Sequence, residues 1–249
     1  MSITQPYRRT CRQFADGSYA EGGRSKYIVH PRFATSPGHY LRAFLILSKD
    51  VQELFDYVEP ADKNLGCYSY RIHALLLRAC VEVEANCKAI LKENGYPEAE
   101  LSMLDYKKVE QTHFLSGYEI IIPNWSGVGG NRKPFADWSR GRPLAWYRAY
   151  NATKHDRHAE FENATLDHLV DAFCGLLALL SAQFLTEDFA GGPSLLALEG
   201  PADGTESGIG GWLRVKFPQN WPAALRYEFS WQQLQNQPDP FQMFDYTKI

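Results

Sequence analysis

The sequence predicts a mainly α protein with short strands and an irregular, partly β C-terminal appendage. Three observations carry this prediction. Apolar residues recur every three to four positions over long segments, while the candidate strands, residues 27–30, 117–125 and 212–217, are short. The composition, 45% hydrophobic and 22% charged over 249 residues, is that of a chain that folds around a full core.

Taken in order, the first segment, 1–35, is a basic arm: Arg8, Arg9, Arg12, Arg24, Lys26 and Arg32 outnumber Asp16 and Glu21. It reads either as a phosphate-contacting extension or as a solvated leader laid across the domain. Residues 27–30, YIVH, read as a short strand. The helical region, 36–188, opens with Leu41, Phe44, Leu45, Leu47, Val51, Leu54 and Phe55, an amphipathic stripe between Ser36-Pro37 and Pro60.

A longer helix is expected from Tyr68 to Asn94, where Ile72, Leu76, Ala79, Val83, Cys87 and Ile90 repeat and Gly95 stops the run. Its length is about 40 Å at a rise of 1.5 Å per residue. Leu101 to Phe114 reads as a weaker helix, GYEIIIPNW as a strand broken by Pro123, and SGVGGNRKPF as a loop. That loop lacks the Gly-Lys-Ser/Thr ending of a phosphate-binding loop, so no nucleotide site is expected in it. Helices at Leu144–Arg157 and Thr165–Asp188 complete the region, the second with Asn163 or Thr165 as its N-cap. From 189 to 249 the chain turns Gly-, Pro- and aromatic-rich, with one expected strand, WLRVKF.

A net charge of −3 argues against bulk electrostatic coating of nucleic acid and leaves room only for a focal phosphate site. The five cysteines form no CxxC pair and are odd in number, which fits free thiols in a reducing cytoplasm and points to neither a disulfide framework nor a cysteine zinc site. The longest apolar run, Ala172–Leu185, falls short of the ~20 residues that span a bilayer, so no membrane association is expected. No metal or cofactor is expected either.

The pointed feature is RAYNATKHDR, residues 148–157. On a helix, Arg148, Asn151 and His155 are spaced three and then four apart and share a face, with Lys154 and Arg157 at its rim. An imidazole exchanges protons near neutral pH, and a guanidinium or ammonium stabilises a developing phosphorane oxyanion. Cleavage of RNA by its own 2′-hydroxyl needs those two functions. The competing readings are a helix end whose cations complement the macrodipole with Asn151 in a buried polar network, and a zinc site at His155 and His158, which lacks a third ligand.

The segments RIHALLLRACVEVEANCKAIL and WYRAYNATKHDRHAEFENATLDHLVDAFCGLLALL resemble the HEPN superfamily, over about residues 39–187. The family signature is an Arg, four to six residues and a His; Arg148, six residues and His155 meet its loosest form. If Asn151 is the polar residue that follows the signature arginine, Tyr150 stands at the arginine's own position.

The resemblance implies an up-and-down helical bundle. It also implies a homodimeric, metal-independent ribonuclease of a toxin–antitoxin or anti-phage defence system, with Arg148, Asn151 and His155 catalytic and Lys154 and Arg157 on the RNA. It equally accommodates a non-catalytic nucleotide-binding or interaction module, such as an antitoxin or a defence-complex subunit. A plain structural adaptor is the third possibility.

Overall fold

A computed structural model describes residues 2–97, 100–189 and 204–249. Its helices are α1 (Pro37–Phe55), α2 (Tyr70–Glu93), α3 (Met103–Lys107), α4 (Glu110–His113), α5 (Ala145–His155), α6 (Arg157–Glu160), α7 (Leu166–Phe184) and α8 (Trp231–Leu234). Its strands are β1 (Glu119–Ile121), β2 (Asn131–Arg132), β3 (Glu206–Ser207) and β4 (Arg214–Lys216). The protein is therefore mainly α with a small antiparallel sheet of order β2-β1-β4-β3.

The helices form where the apolar periodicity lies. Ser69 caps α2 by accepting from the Ile72 amide at 3.2 Å, and Thr165 caps α7 by accepting from the His168 amide at 3.3 Å. The stripe on α2 (Ile72, Leu76, Ala79, Val83, Cys87 and Ile90) is fully buried, and α2 packs chiefly on α7. Helices α1 and α5 flank that pair. By length and composition α7 passes as a membrane span, yet 83% of its apolar window is buried inside the protein, as befits a core helix.

Three expectations change. Residues 27–30 are not a strand: Tyr27 ends a 3-10 segment, Glu21–Tyr27, and the chain turns there so that Tyr27 and Ile28 enter the core. Leu101–Phe114 is two short helices, α3 and α4, separated where Lys108 and Val109 turn; Phe114 then takes a left-handed conformation (φ 48°) that ends α4. The arm's arginines are not all solvated: Arg9 and Arg12 are 0% and 1% exposed.

Contacts cross every boundary expected from composition. The expected strand WLRVKF supplies β4, which pairs with β1 from the helical region through Ile120 opposite Val215. The arm bridges to the C-terminal segment at Ile3 with Tyr227, Tyr7 with Gln242 and Phe14 with Tyr227. Trp221 and Tyr246 are buried, and Trp212 packs on Phe55 and Phe173 with centroids 5.8 Å away, so these aromatics cover the helices. Much of the Gly- and Pro-rich stretch that begins the appendage, 190–203, lies outside the described residues.

The glycine-rich loop holds an internal carboxylate. Asp62 accepts from Trp125 Nε1 at 2.8 Å and from the amides of Val128 and Gly129 at 2.9 and 2.8 Å. A Cβ on Gly127, whose φ is +123°, would land on that carboxylate, so the loop closes only with glycine there. These three donors hold the Asp62 carboxyl below the usual range, the Trp125 bond most of all.

Candidate functional site

Helix α5 is anchored through one side. Trp146, Tyr147, Ala149, Tyr150 and Thr153 are buried. Trp146 Nε1 donates to the Pro134 carbonyl at 2.9 Å, Tyr147 donates to Glu84 Oε1 of α2 at 2.7 Å, and Thr153 Oγ1 donates to the Ala149 carbonyl at 3.0 Å. This anchoring fixes the rotation of the helix and so decides which residues face solvent.

The solvent side carries Arg148 and His155, both exposed, and Asn151, half-buried. The structure brings these three to one face, as their spacing predicts. Among the described residues their side chains make no hydrogen bond or ion pair, so Asn151 is not part of a buried polar network.

Lys154 lies toward the flank. Its Nζ donates to the Tyr150 hydroxyl at 3.1 Å and sits 5.0 Å from the centroid of that ring. The bond to Tyr150 raises the Lys154 pKa, so the ammonium keeps its charge. Tyr150 itself is 1% exposed and packs on Tyr147 with centroids 5.3 Å apart, and burial pushes its phenol up. The residue at the expected arginine position therefore belongs to the packing side of α5 and offers no cation to the solvent side.

The helix breaks at Asp156 (φ −136°, ψ 75°), whose carboxylate accepts from the Ala159 amide at 3.1 Å and starts α6. The break turns Arg157 away from the α5 face and toward α2, where its guanidinium carbon lies 6.0 Å from the centroid of the Tyr70 ring. His158 is exposed beside it. Arg157 and His158 line a cleft with Tyr70 and Phe161. Sequence reasoning missed Tyr70 and Phe161; the available signal was a tyrosine at the first position of α2, outside the apolar stripe.

Behind Phe161 stands His73, 7% exposed, its ring centroid 5.7 Å from that of Phe161. Burial lowers its pKa, the positive Arg157 lowers it further, and the Thr153 backbone opposes both. His73 is thus a wall residue whose surroundings disfavour its charged form. Among the described residues no group of three or more His, Cys, Asp or Glu is arranged to hold a metal ion. The exposed face of α5 offers a guanidinium, an amide and an imidazole to an anionic ligand, and Arg157 stands apart from it at the Tyr70 cleft. Compared with protein-family models, curated proteins and solved structures, the chain finds no match.

Proposed function

We propose that the chain is a HEPN-like, metal-independent endoribonuclease of a toxin–antitoxin or anti-phage defence system, acting in the cytoplasm as a homodimer with an up-and-down bundle core. The observation that carries this reading is the face of Arg148, Asn151 and His155: three polar side chains aligned on one anchored helix, with no partner among the described residues. The buried arginines Arg9 and Arg132 pair with carboxylates of the fold, whereas this face combines a guanidinium, an amide and an imidazole that turn to solvent.

In this reading His155 takes the proton of a ribose 2′-hydroxyl, and the 2′-oxygen attacks the adjacent phosphorus. Arg148 stabilises the charge gathering on the phosphorane oxygens, Asn151 orients the phosphate, and Lys154 and Arg157, off that face, hold the RNA to either side. The bond to the 5′-oxygen breaks, that oxygen takes a proton from water while His155 returns its own to solvent, and the products are a 2′,3′-cyclic phosphate and a 5′-hydroxyl. Arg148 and His155 stand seven residues apart, roughly 10 Å along the helix. That span is long for a single phosphodiester. A twofold axis near Asn151 places Arg148 of one copy beside His155 of the partner subunit, which shortens it.

The test is incubation of purified protein with single-stranded or transfer RNA in EDTA. Cyclic-phosphate products that disappear in His155→Ala support the reading; intact RNA, or a variant that cuts like wild type, overturns it. Buried Tyr150 favours a second reading, a non-catalytic HEPN-like nucleotide-binding or interaction module, because the family arginine has no counterpart there. In that case partner or RNA binding survives His155→Ala and no cyclic phosphate forms.

A further inference from the structure

At the end of α5 the chain builds a cleft of about 250 Å³ walled by Tyr70, Arg157, His158 and Phe161. That is below the size of pockets for drug-sized ligands and suits one planar group. Tyr70 is 71% exposed and Tyr68 51% exposed, though both rings touch Phe161, with centroids 4.7 and 5.7 Å away. A tyrosine this exposed beside an arginine is the combination that single-stranded nucleic acid uses: a π-face for the base and a cation for the phosphate.

A small outward shift of Arg157 opens the cleft to a base. Arg157 Cζ lies 6.0 Å from the Tyr70 ring centroid, and a flat base between two flat groups needs roughly 7 Å, two contacts of about 3.5 Å each. Exposed Arg157 can yield that difference. Of the neighbouring carboxylates, Asp156 caps α6, Glu160 accepts from Asn163 Nδ2 at 2.5 Å, and Glu162 is exposed to solvent. His73 Nε2, buried against the Phe161 wall, has no partner among the described residues.

We propose that this cleft seats one unstacked nucleotide of single-stranded RNA. The base lies on Tyr70 beneath the Arg157 guanidinium, with its phosphate on Arg157 and His158. Resting on the reading of His155 as the cleaving residue, the cleft then holds the nucleotide next to the scissile phosphate, since Arg157 follows His155 by two positions. The substrate is accordingly single-stranded at that nucleotide, because a base held in a duplex cannot enter.

The experiment measures binding of a short oligouridine in EDTA, in the His155→Ala background so that the RNA stays intact. The same oligomer with one base removed, and a duplex, serve as comparisons. Tyr70→Ala weakens binding of the intact oligomer roughly 5- to 150-fold, the equivalent of about 1–3 kcal/mol for one stacked base. Tyr70→Trp retains it. Removing the base from the oligomer costs a similar factor, and the two losses do not add. Tyr70→Ala leaves duplex binding unchanged.

Wild-type affinity in Tyr70→Ala, or an equal loss on the intact, base-free and duplex RNAs, overturns the proposal. His155-dependent cutting with Tyr70-independent binding removes the cleft and leaves the nuclease; Tyr70-dependent binding without cutting by the wild type does the reverse. If no RNA binds, both fall.

Discussion

Near the N-terminus, Arg9 and Arg12 are buried, and each of their guanidinium nitrogens has a hydrogen-bond partner. Arg9 donates to Glu93 Oε1 at 2.7 Å, Gln183 Oε1 at 2.9 Å and the Thr35 carbonyl at 2.8 Å; Arg12 donates to the carbonyls of Thr112 at 2.8 Å and Leu225 at 3.1 Å. Along α5, Arg148 and His155 face water with no side-chain partner among the described residues. Both regions look alike as strings of basic residues. What separates them is the partner of each charge, and burying an ion without partners costs far more than leaving it in water. A cation with a complete set of partners holds the fold together, and one without is free to meet a ligand.

The sharpest way to break this contrast is His155→Ala. It should lower RNA cleavage about 10²- to 10⁴-fold, the range for a lost general acid or base, measured as initial rate in EDTA. Arg9→Ala should do the opposite. Leaving buried Gln183 and half-buried Glu93 without their cation should cost about 3 kcal/mol in urea denaturation, against a small change in cleavage by whatever fraction remains folded.

The third prediction uses pH. His113, fully buried, donates from Nε2 to the Arg9 carbonyl at 2.8 Å; burial chiefly, with the positive Arg12 also acting, brings its pKa from 6.5 down to about 3, against the opposing Arg9 bond. A histidine depressed in the folded state binds its proton more readily when unfolded. Its contribution is therefore complete above pH 6.5 and is lost progressively as the pH falls toward 3. Between about pH 6 and 4 this group alone should tilt stability by up to ~1.4 kcal/mol per pH unit. His113→Gln should be less stable at neutral pH and lack that part of the slope.

The smallest effect is expected from Arg148→Ala and His155→Ala on stability itself, within about 0.5 kcal/mol of wild type in the same urea titration. A loss of several kcal/mol in either would show that the α5 face is structural and erase the distinction between the two regions.

The long helices and the α5 face were legible because both rest on local periodicity: the stripe on α2 and the three-then-four spacing of Arg148, Asn151 and His155 are properties of neighbouring residues. The fate of Arg9 and Arg12 was not legible, because their partners come from elsewhere in the chain. Arg12 binds carbonyls 100 and 213 positions away. The strand expected at 27–30 failed for a related reason: Tyr27 is apolar because it meets Phe14, Phe33 and Tyr227 in the core, with no neighbouring strand involved. Tyr70 and Phe161 were invisible as a pair until the fold joined the start of α2 to the turn after α6.

The bond between Arg12 and the Leu225 carbonyl, across 213 positions, has a consequence in time. A ribosome adding roughly 5–20 residues per second takes on the order of 10–40 s to reach the second partner after making the first. For that interval Phe14, Tyr27 and Arg12 lack the Tyr227 and Leu225 surfaces that later enclose them. The helices can pack during synthesis, but the arm must wait.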